Sequence, residues 1–344
     1  MVQGVVDVIV DRVLQGDLYV AFKPLDLQLH GYYSRESVAL STPNRRGRRM
    51  SLGLLEVVAE SQSESVDWRL KLNGISVTKE FKPHYTARLR DKLVSKFVYD
   101  VTSLLNTEDS MGKDWVNLTF RHEGGSPVRL RKAQLIAVYE DPDASTSLKY
   151  WTGLLSLSPG DSHFLTSSVV AGEPEIRVSG CMLQHAGKLV LLVNDARYEF
   201  EGMHGDGFEE YVVQASSSNG YRIGLVNEGN GSFMVSSVLL YSSSMRKPVL
   251  VIEGVEVKQA GDGLRLNVSL RNKGEASPDF TVYTVIHKGN IVATVKALDA
   301  VQPGEAVVKE LVVPVTPSPG ETLSIRVVWG KLSKTWFTTE NLTL

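Results

Sequence analysis

Glu140, Asp141 and Asp143 crowd one short turn, and hard carboxylate oxygens so placed are the donor set that suits Ca²⁺. The same turn also serves as a solvated acidic end that blunts a strand. A second polar loop runs from Gly202 to Glu210, with His204, Asp206, Glu209 and Glu210. Asn44-Arg45-Arg46-Gly47-Arg48-Arg49 is the densest charge run, fit to meet phosphates, acidic glycans or an acidic protein surface. Trp151, with Tyr32, Tyr33 and Tyr221, offers rings that stack on sugars if they stand on loops. Arg45, Arg46, Arg48, Arg49 and Trp151 are therefore the candidate partner- or glycan-binding loop residues. Nucleophilic catalysis needs a Ser or Cys beside an oriented His. No Gly-x-Ser-x-Gly elbow occurs, and the seven histidines are scattered singly, so no catalytic residue is expected. Cys181 lies in an apolar stretch without flanking cations, which suits a core thiol.

The elements that must hold these residues are strands. Leu264, Leu266, Val268 and Leu270 alternate with Arg265, Asn267, Ser269 and Arg271, the period of a half-buried antiparallel strand. No window offers a long amphipathic helix. The first segment, Val5 to Val13, is Pro-free and β-branched, and Val6, Val8 and Val10 are expected to face a partner strand if it completes a neighbouring sheet. The alternative is an ordinary first strand within its own domain.

Two stretches echo one another. Leu72-Asn73-Gly74, Phe97-Val98-Tyr99, His122-Glu123-Gly124-Gly125-Ser126 and Ala137-Val138-Tyr139 return as Val193-Asn194-Asp195, Glu210-Tyr211-Val212, Asn227-Glu228-Gly229-Asn230-Gly231-Ser232 and Leu239-Leu240-Tyr241. Polar, strand-poor breaks at Glu140–Ser147 and Ser242–Pro248 close each copy. Beyond them, about seven short runs separated by turns such as Asn272-Lys273-Gly274 and Pro303-Gly304-Glu305 fit an immunoglobulin-like sandwich. The expected class is all-β: two tandem jelly-roll-like β-sandwiches, 1–145 and 146–245, followed by an immunoglobulin-like β-sandwich, 248–344.

Composition bounds the function. The 344 residues are 42% hydrophobic, enough for several cores. A net charge of -2 and a pI near 6.4 give no global pull toward nucleic acid or anionic membrane. One cysteine excludes intrachain disulfides and fits the cytosol as well as a secreted protein with large cores. No run approaches a membrane span, and Val2 to Val13 does not read as a signal peptide, so the chain is either intracellular or a mature chain behind an added Met1. The triplets at Asn117, Asn230, Asn267 and Asn341 permit glycosylation outside the cell.

The run Leu266 to Gly274, then Gly289-Asn290-Ile291-Val292 and Val301-Gln302-Pro303-Gly304-Glu305, resembles a CARDB-type domain, the cell-adhesion-related immunoglobulin-like module of prokaryotic surface proteins. Upstream, Leu72-Asn73-Gly74, Tyr99-Asp100-Val101-Thr102-Ser103-Leu104-Leu105, Ala133 to Asp141 and Tyr150-Trp151 are similar to an uncharacterised archaeal surface-protein family often joined to such modules. The second copy departs from that pattern, with Tyr211-Val212-Val213-Gln214 for Tyr-Asp-Val-Thr and Ser242 for the acidic exit. The resemblance implies a non-enzymatic structural or adhesive component of an archaeal cell surface or extracellular filament, assembling by strand addition. It partners itself, other surface proteins or glycans, with no nucleic acid and no required cofactor, and Ca²⁺ is the one ion the acidic turn suits. The alternatives are a carbohydrate-binding protein with Ca²⁺-stabilised jelly rolls and an intracellular enzyme.

Overall fold

The computed structural model describes residues 2–43, 47–63, 66–77, 82–89, 92–168, 174–182, 187–201, 207–215, 220–261, 263–298, 300–315 and 318–344. The fold is an all-β sandwich class, with 72% of the described residues in strands and 3% in helix. No helix among the described residues is long and apolar enough to cross a membrane. The chain divides into two compact units, Met1–Ser244 and Met245–Leu344.

Strands of the first unit run in order: β1 (Gln3–Gln15), β2 (Asp17–Leu29), β3 (Arg35–Ser41), β4 (Met50–Ser61), β5 (Val66–Leu72), β6 (Ile75–Ser76), β7 (Tyr85–Leu89), β8 (Lys92–Asp100), β9 (Trp115–Gly125) and β10 (Val128–Tyr139). They continue as β11 (Ala144–Leu157), β12 (Ser162–Ser167), β13 (Glu175–Met182), β14 (Lys188–Val193), β15 (Ala196–Glu201), β16 (Phe208–Gln214), β17 (Tyr221–Asn227) and β18 (Phe233–Met245). Two single-turn helices, α1 (Thr102–Leu105) and α2 (Glu108–Met111), fill the β8–β9 connection.

Four sheets result. The orders β2-β10-β4-β8-β7 and β3-β9-β5-β6 form one jelly roll; β1-β11-β18-β13-β16 and β12-β17-β14-β15 form the next. The internal echo is thus a structural repeat, in which β2 to β10, apart from the added edge strand β7, and β11 to β18 occupy matching sheet positions. Each copy turns at an Asn in left-handed conformation, Asn73 at φ 48 and Asn194 at φ 53, a region Asn tolerates better than most residues. Each Asn Oδ1 accepts from the adjoining strand, Asn73 from Asn117 N at 2.9 Å and Asn194 from Arg222 N at 2.8 Å.

The first strand departs from the expected 1–145 division: β1 pairs along its length with β11. It crosses to β2 at Gly16, while β10 crosses to β11 at residues 140–143, so β1–β2 and β10–β11 form one bent two-stranded ribbon through both jelly rolls. Gly16 has φ 139, and a Cβ there would stand 2.0 Å from the Tyr139 carbonyl oxygen. Only glycine fits this crossing.

Apolar residues alternate into cores on both faces of the two inner sheets. Val58, Val94, Leu154, Cys181, Phe208 and Met234 form one cluster, so Cys181 is a core thiol. The second copy's own core gathers Trp151, Tyr211, Phe233 and their neighbours.

The second unit holds β19 (Leu250–Ala260), β20 (Gly263–Asn272), β21 (Phe280–His287), β22 (Asn290–Ala297), β23 (Ala306–Val313), β24 (Thr322–Lys331) and β25 (Lys334–Thr343). The sheets β19-β20-β23 and β22-β21-β24-β25 are the three-plus-four division of an immunoglobulin-like sandwich. Asn272, fully buried, donates its amide to Ala276 O and Val301 O, both at 2.8 Å, which explains the Asn-x-Gly strand exit.

Candidate functional site

Where β4, β8 and β10 face β11, β13 and β18, the interior is ionic. Glu56, Lys96 and Lys132 are all fully buried. Lys96 Nζ lies 2.5 Å and Lys132 Nζ 2.7 Å from the Glu56 carboxylate. Thr152 Oγ1 donates to the same carboxylate at 2.6 Å, and Tyr150 OH donates beside it. Burial pushes the Glu56 carboxyl up, but Lys132 and Lys96 outweigh it and hold the group at about 2. Burial, against the pull of Glu56, drops Lys96 to about 7, and it lowers Lys132 as well.

From this centre a polar chain runs outward. Lys132 donates to Ser179 Oγ at 2.6 Å; Ser179 and Ser237 hydroxyls are 2.7 Å apart; Ser237 donates to Gln134 Oε1 at 3.3 Å. Gln134 Nε2 then donates to Glu210 at 3.3 Å, and Arg177 donates to the other Glu210 oxygen at 2.9 Å. Burial raises the Glu210 carboxyl, with Arg177 opposing.

Glu210 borders a groove of about 790 Å³ between two sheet edges, β2 on one side and β16 on the other. Its walls include Tyr19, Phe22, Pro24, Tyr211, Glu201 and Glu209. Glu209 accepts from Tyr211 OH at 2.6 Å. No ion pair involves Glu201 or Glu209 among the described residues; Lys23 of β2 also lines the groove, its Nζ donating to Ala39 O at 3.2 Å, so the two glutamates leave the β16 wall negative.

The residues singled out in the sequence fall elsewhere. Val6 is 9% exposed and Val10 7%, buried against their own molecule through the β11 pairing; only Val8, at 47%, stays outside. A bulge between Val8 and Val10 breaks their shared face, so Val6 and Val10 pack into different cores. The outer edge of β1 has no neighbouring strand in its sheet, and Val5, Ile9 and Val13 are exposed along it. Trp151 is not a loop aromatic: it lies on β11, 3% exposed, with Lys149 Nζ 5.3 Å from its ring centroid. Alternation on a strand with both faces covered put that ring inside. Tyr221 is likewise core.

Arg45 and Arg46 lie outside the described residues, as do His204 and Asp206. Arg48 Nε donates to Asp141 Oδ2 at 3.0 Å, and Arg49 O accepts from Glu140 N at 2.9 Å. The basic loop and the acidic turn thus meet. Asp141 Oδ1 also accepts from Asp143 N at 2.8 Å, so the carboxylate with the best claim on a cation already serves the turn. Among the described residues, no group of three or more His, Cys, Asp or Glu side chains is placed to hold a metal ion.

Of the four aromatics singled out in the sequence, Tyr32 and Tyr33 are the exposed ones, with ring centroids 5.4 Å apart in a T-shaped pair. The Arg121 guanidinium lies 4.7 Å from the Tyr33 ring centroid. Sequence reasoning found these two but missed the ionic centre, because Glu56, Lys96 and Lys132 sit on separate strands and no spacing links them.

At the level of sequence, no family model and no curated protein matches the chain. Solved structures with some shared backbone include β-glucuronidases. One from Ruminococcus gnavus is 10% identical, with a TM-score of 0.23 over 56% of this chain and 36% of that chain. The same enzyme with D-glucaro 1,5-lactone gives a TM-score of 0.24 over the same shares. A Lactobacillus rhamnosus β-glucuronidase is 14% identical, again over 56% and 36%, with a TM-score of 0.23. This chain therefore spans well under half the length of those enzymes, and similarity at this level carries no argument about activity.

Proposed function

We propose that the chain is a non-enzymatic structural or adhesive component of an archaeal cell surface or extracellular filament, holding partners by its sheet edges and loops. The observation that carries this reading is the outer edge of β1. It is thirteen residues long and ends its sheet, with Val5, Val8, Ile9 and Val13 exposed. Long edges invite strand addition, and natural proteins usually cover, charge or bulge them; β1 carries Asp7, Asp11, Arg12 and a bulge between Val8 and Val10, yet keeps these four apolar side chains exposed. The CARDB-type reading of residues 248–344 fits the same role, an adhesion module outside the cell. Electron microscopy with sedimentation velocity tests it. The native protein is expected to form filaments or oligomers, and a Val5→Lys/Val13→Lys variant to stay monomeric with an unchanged melting temperature. A native protein that is monomeric at every concentration and retains no surface partner contradicts it.

Carbohydrate binding is the second reading, and the exposed Tyr32–Tyr33 pair beside Arg121 favours it. Rings so displayed stack on sugar faces. In that case Tyr32→Ala/Tyr33→Ala abolishes retention on a glycan array, and chelation shifts the melting curve only if Ca²⁺ is also held.

A further inference from the structure

The groove between β2 and β16 has a free strand edge for one wall, and the hydrogen-bond phase of that edge can be read. Ala215 N donates to Pro174 O at 2.8 Å, just beyond the β13–β16 ladder. Hydrogen-bonded and open pairs alternate in an antiparallel ladder. The Glu175–Gln214, Arg177–Val212, Ser179–Glu210 and Cys181–Phe208 pairs are therefore open, and the N–H and C=O groups of Phe208, Glu210 and Val212 point away from β13 into the groove. Gln214 obeys the same phase, since its carbonyl accepts from Tyr198 OH at 3.2 Å. No backbone partner for Phe208, Glu210 or Val212 is found on that side among the described residues. The facing strand, β2, carries Pro24, which suits an edge that does not take a partner.

Side chains on the two faces of β16 differ in kind. Tyr211 and Val213 pack toward β14 and β17, while Phe208 packs toward β4 and β8. Alternation therefore places Glu209 on the first side, where Glu201 ends β15, and leaves Phe22 and Pro24 of β2 on the other.

We infer that this groove binds an extended segment of another polypeptide, added antiparallel or parallel to β16 and alternating Lys or Arg with apolar residues. The cations meet Glu201 and Glu209, and the apolar side chains cover Phe22 and Pro24. The chain's own β1 has the opposite charge pattern, with Asp7 and Asp11, and is already paired with β11. This rests on the proposed reading only in taking sheet edges as the binding surfaces, and it concerns a different edge.

Titration calorimetry and hydrogen exchange on the full chain test it, with a decapeptide alternating lysine and valine as probe. That peptide is expected to bind and to slow exchange at the Phe208, Glu210 and Val212 amides. A glutamate–valine peptide is expected to bind at least tenfold more weakly, and Glu201→Gln/Glu209→Gln to weaken the lysine peptide at least tenfold. Equal affinity for the two peptides overturns the charge assignment. Undiminished binding of a lysine–valine peptide N-methylated at alternate residues overturns strand addition, without any variant that risks misfolding. Protection of the same amides by protein concentration alone gives the groove to a second copy and overturns the foreign-strand assignment. Running the series on Val5→Lys/Val13→Lys separates the two proposals: peptide binding that persists there is independent of the β1 edge.

Discussion

Glu56 stands between two buried lysines, so one positive charge in the centre has no anion of its own. Removing a partner from a buried ion group is costly because the remaining charges stay desolvated. Glu56→Gln is therefore expected to destabilise the first unit by about 3–5 kcal/mol, measured by urea denaturation. Lys96 titrates at about 7 in the fold against an ordinary 10.5. Between those values the unfolded chain binds the proton that the folded chain has released, so stability rises with pH across that window, by up to about 1.4 kcal/mol per pH unit. Lys96→Met is expected to remove the Lys96 share of this rise, leaving that of Lys132, which burial also lowers, and to leave a balanced Glu56–Lys132 pair, so its stability at pH 7 should equal or exceed that of the native protein. At the acid end Glu56, held at about 2, contributes stability that is complete above its ordinary 4.5 and is lost as pH falls through 2. Denaturant midpoints taken from pH 2 to pH 10 follow both slopes.

The bent ribbon β1–β2/β10–β11 turns at Gly16, where a methyl group would strike the Tyr139 carbonyl in a backbone region closed to other residues. Gly16→Ala is expected to cost about 3 kcal/mol, read as a drop in melting temperature. Strands and turns were legible because their signals are local: alternation in β20, Asn73 and Asn194 at matching turns, Asn227-Glu228-Gly229 and Asn272-Lys273-Gly274 at strand exits. In both exits the Asn amide donates to two backbone carbonyls, Asn227 to Leu157 O at 2.7 Å and Gly231 O at 2.8 Å. The first copy has His122 at this place, its ring nitrogens 2.9 Å from Gly31 O and 3.1 Å from Ser126 O. What lay beyond the sequence is pairing across the chain. Nothing in Val5 to Val13 says that its partner is β11, and nothing in Arg48 says that it meets Asp141. Trp151 misled for a related reason, since a polar turn just before it suggested a loop, whereas the turn ends at Asp143.

At the scale of the whole chain, the two jelly rolls of the first unit share a ribbon and a charged interior, whereas the second unit has a core of its own. Residues 245–344 expressed alone are thus expected to give a dispersed NMR spectrum and a cooperative melt. Residues 146–245 alone are expected to aggregate, because they lack β1 and expose Phe208, Met234 and Leu239. The proposed role makes the outer edge of β1 the surface through which the protein assembles. Hydrogen exchange of the β1 backbone amides, compared between dilute and assembled protein, tests that most directly. The outward-facing amides between Gln3 and Gln15 should become strongly protected on assembly. Assembly that leaves β1 exchange unchanged while protecting another edge would contradict the account.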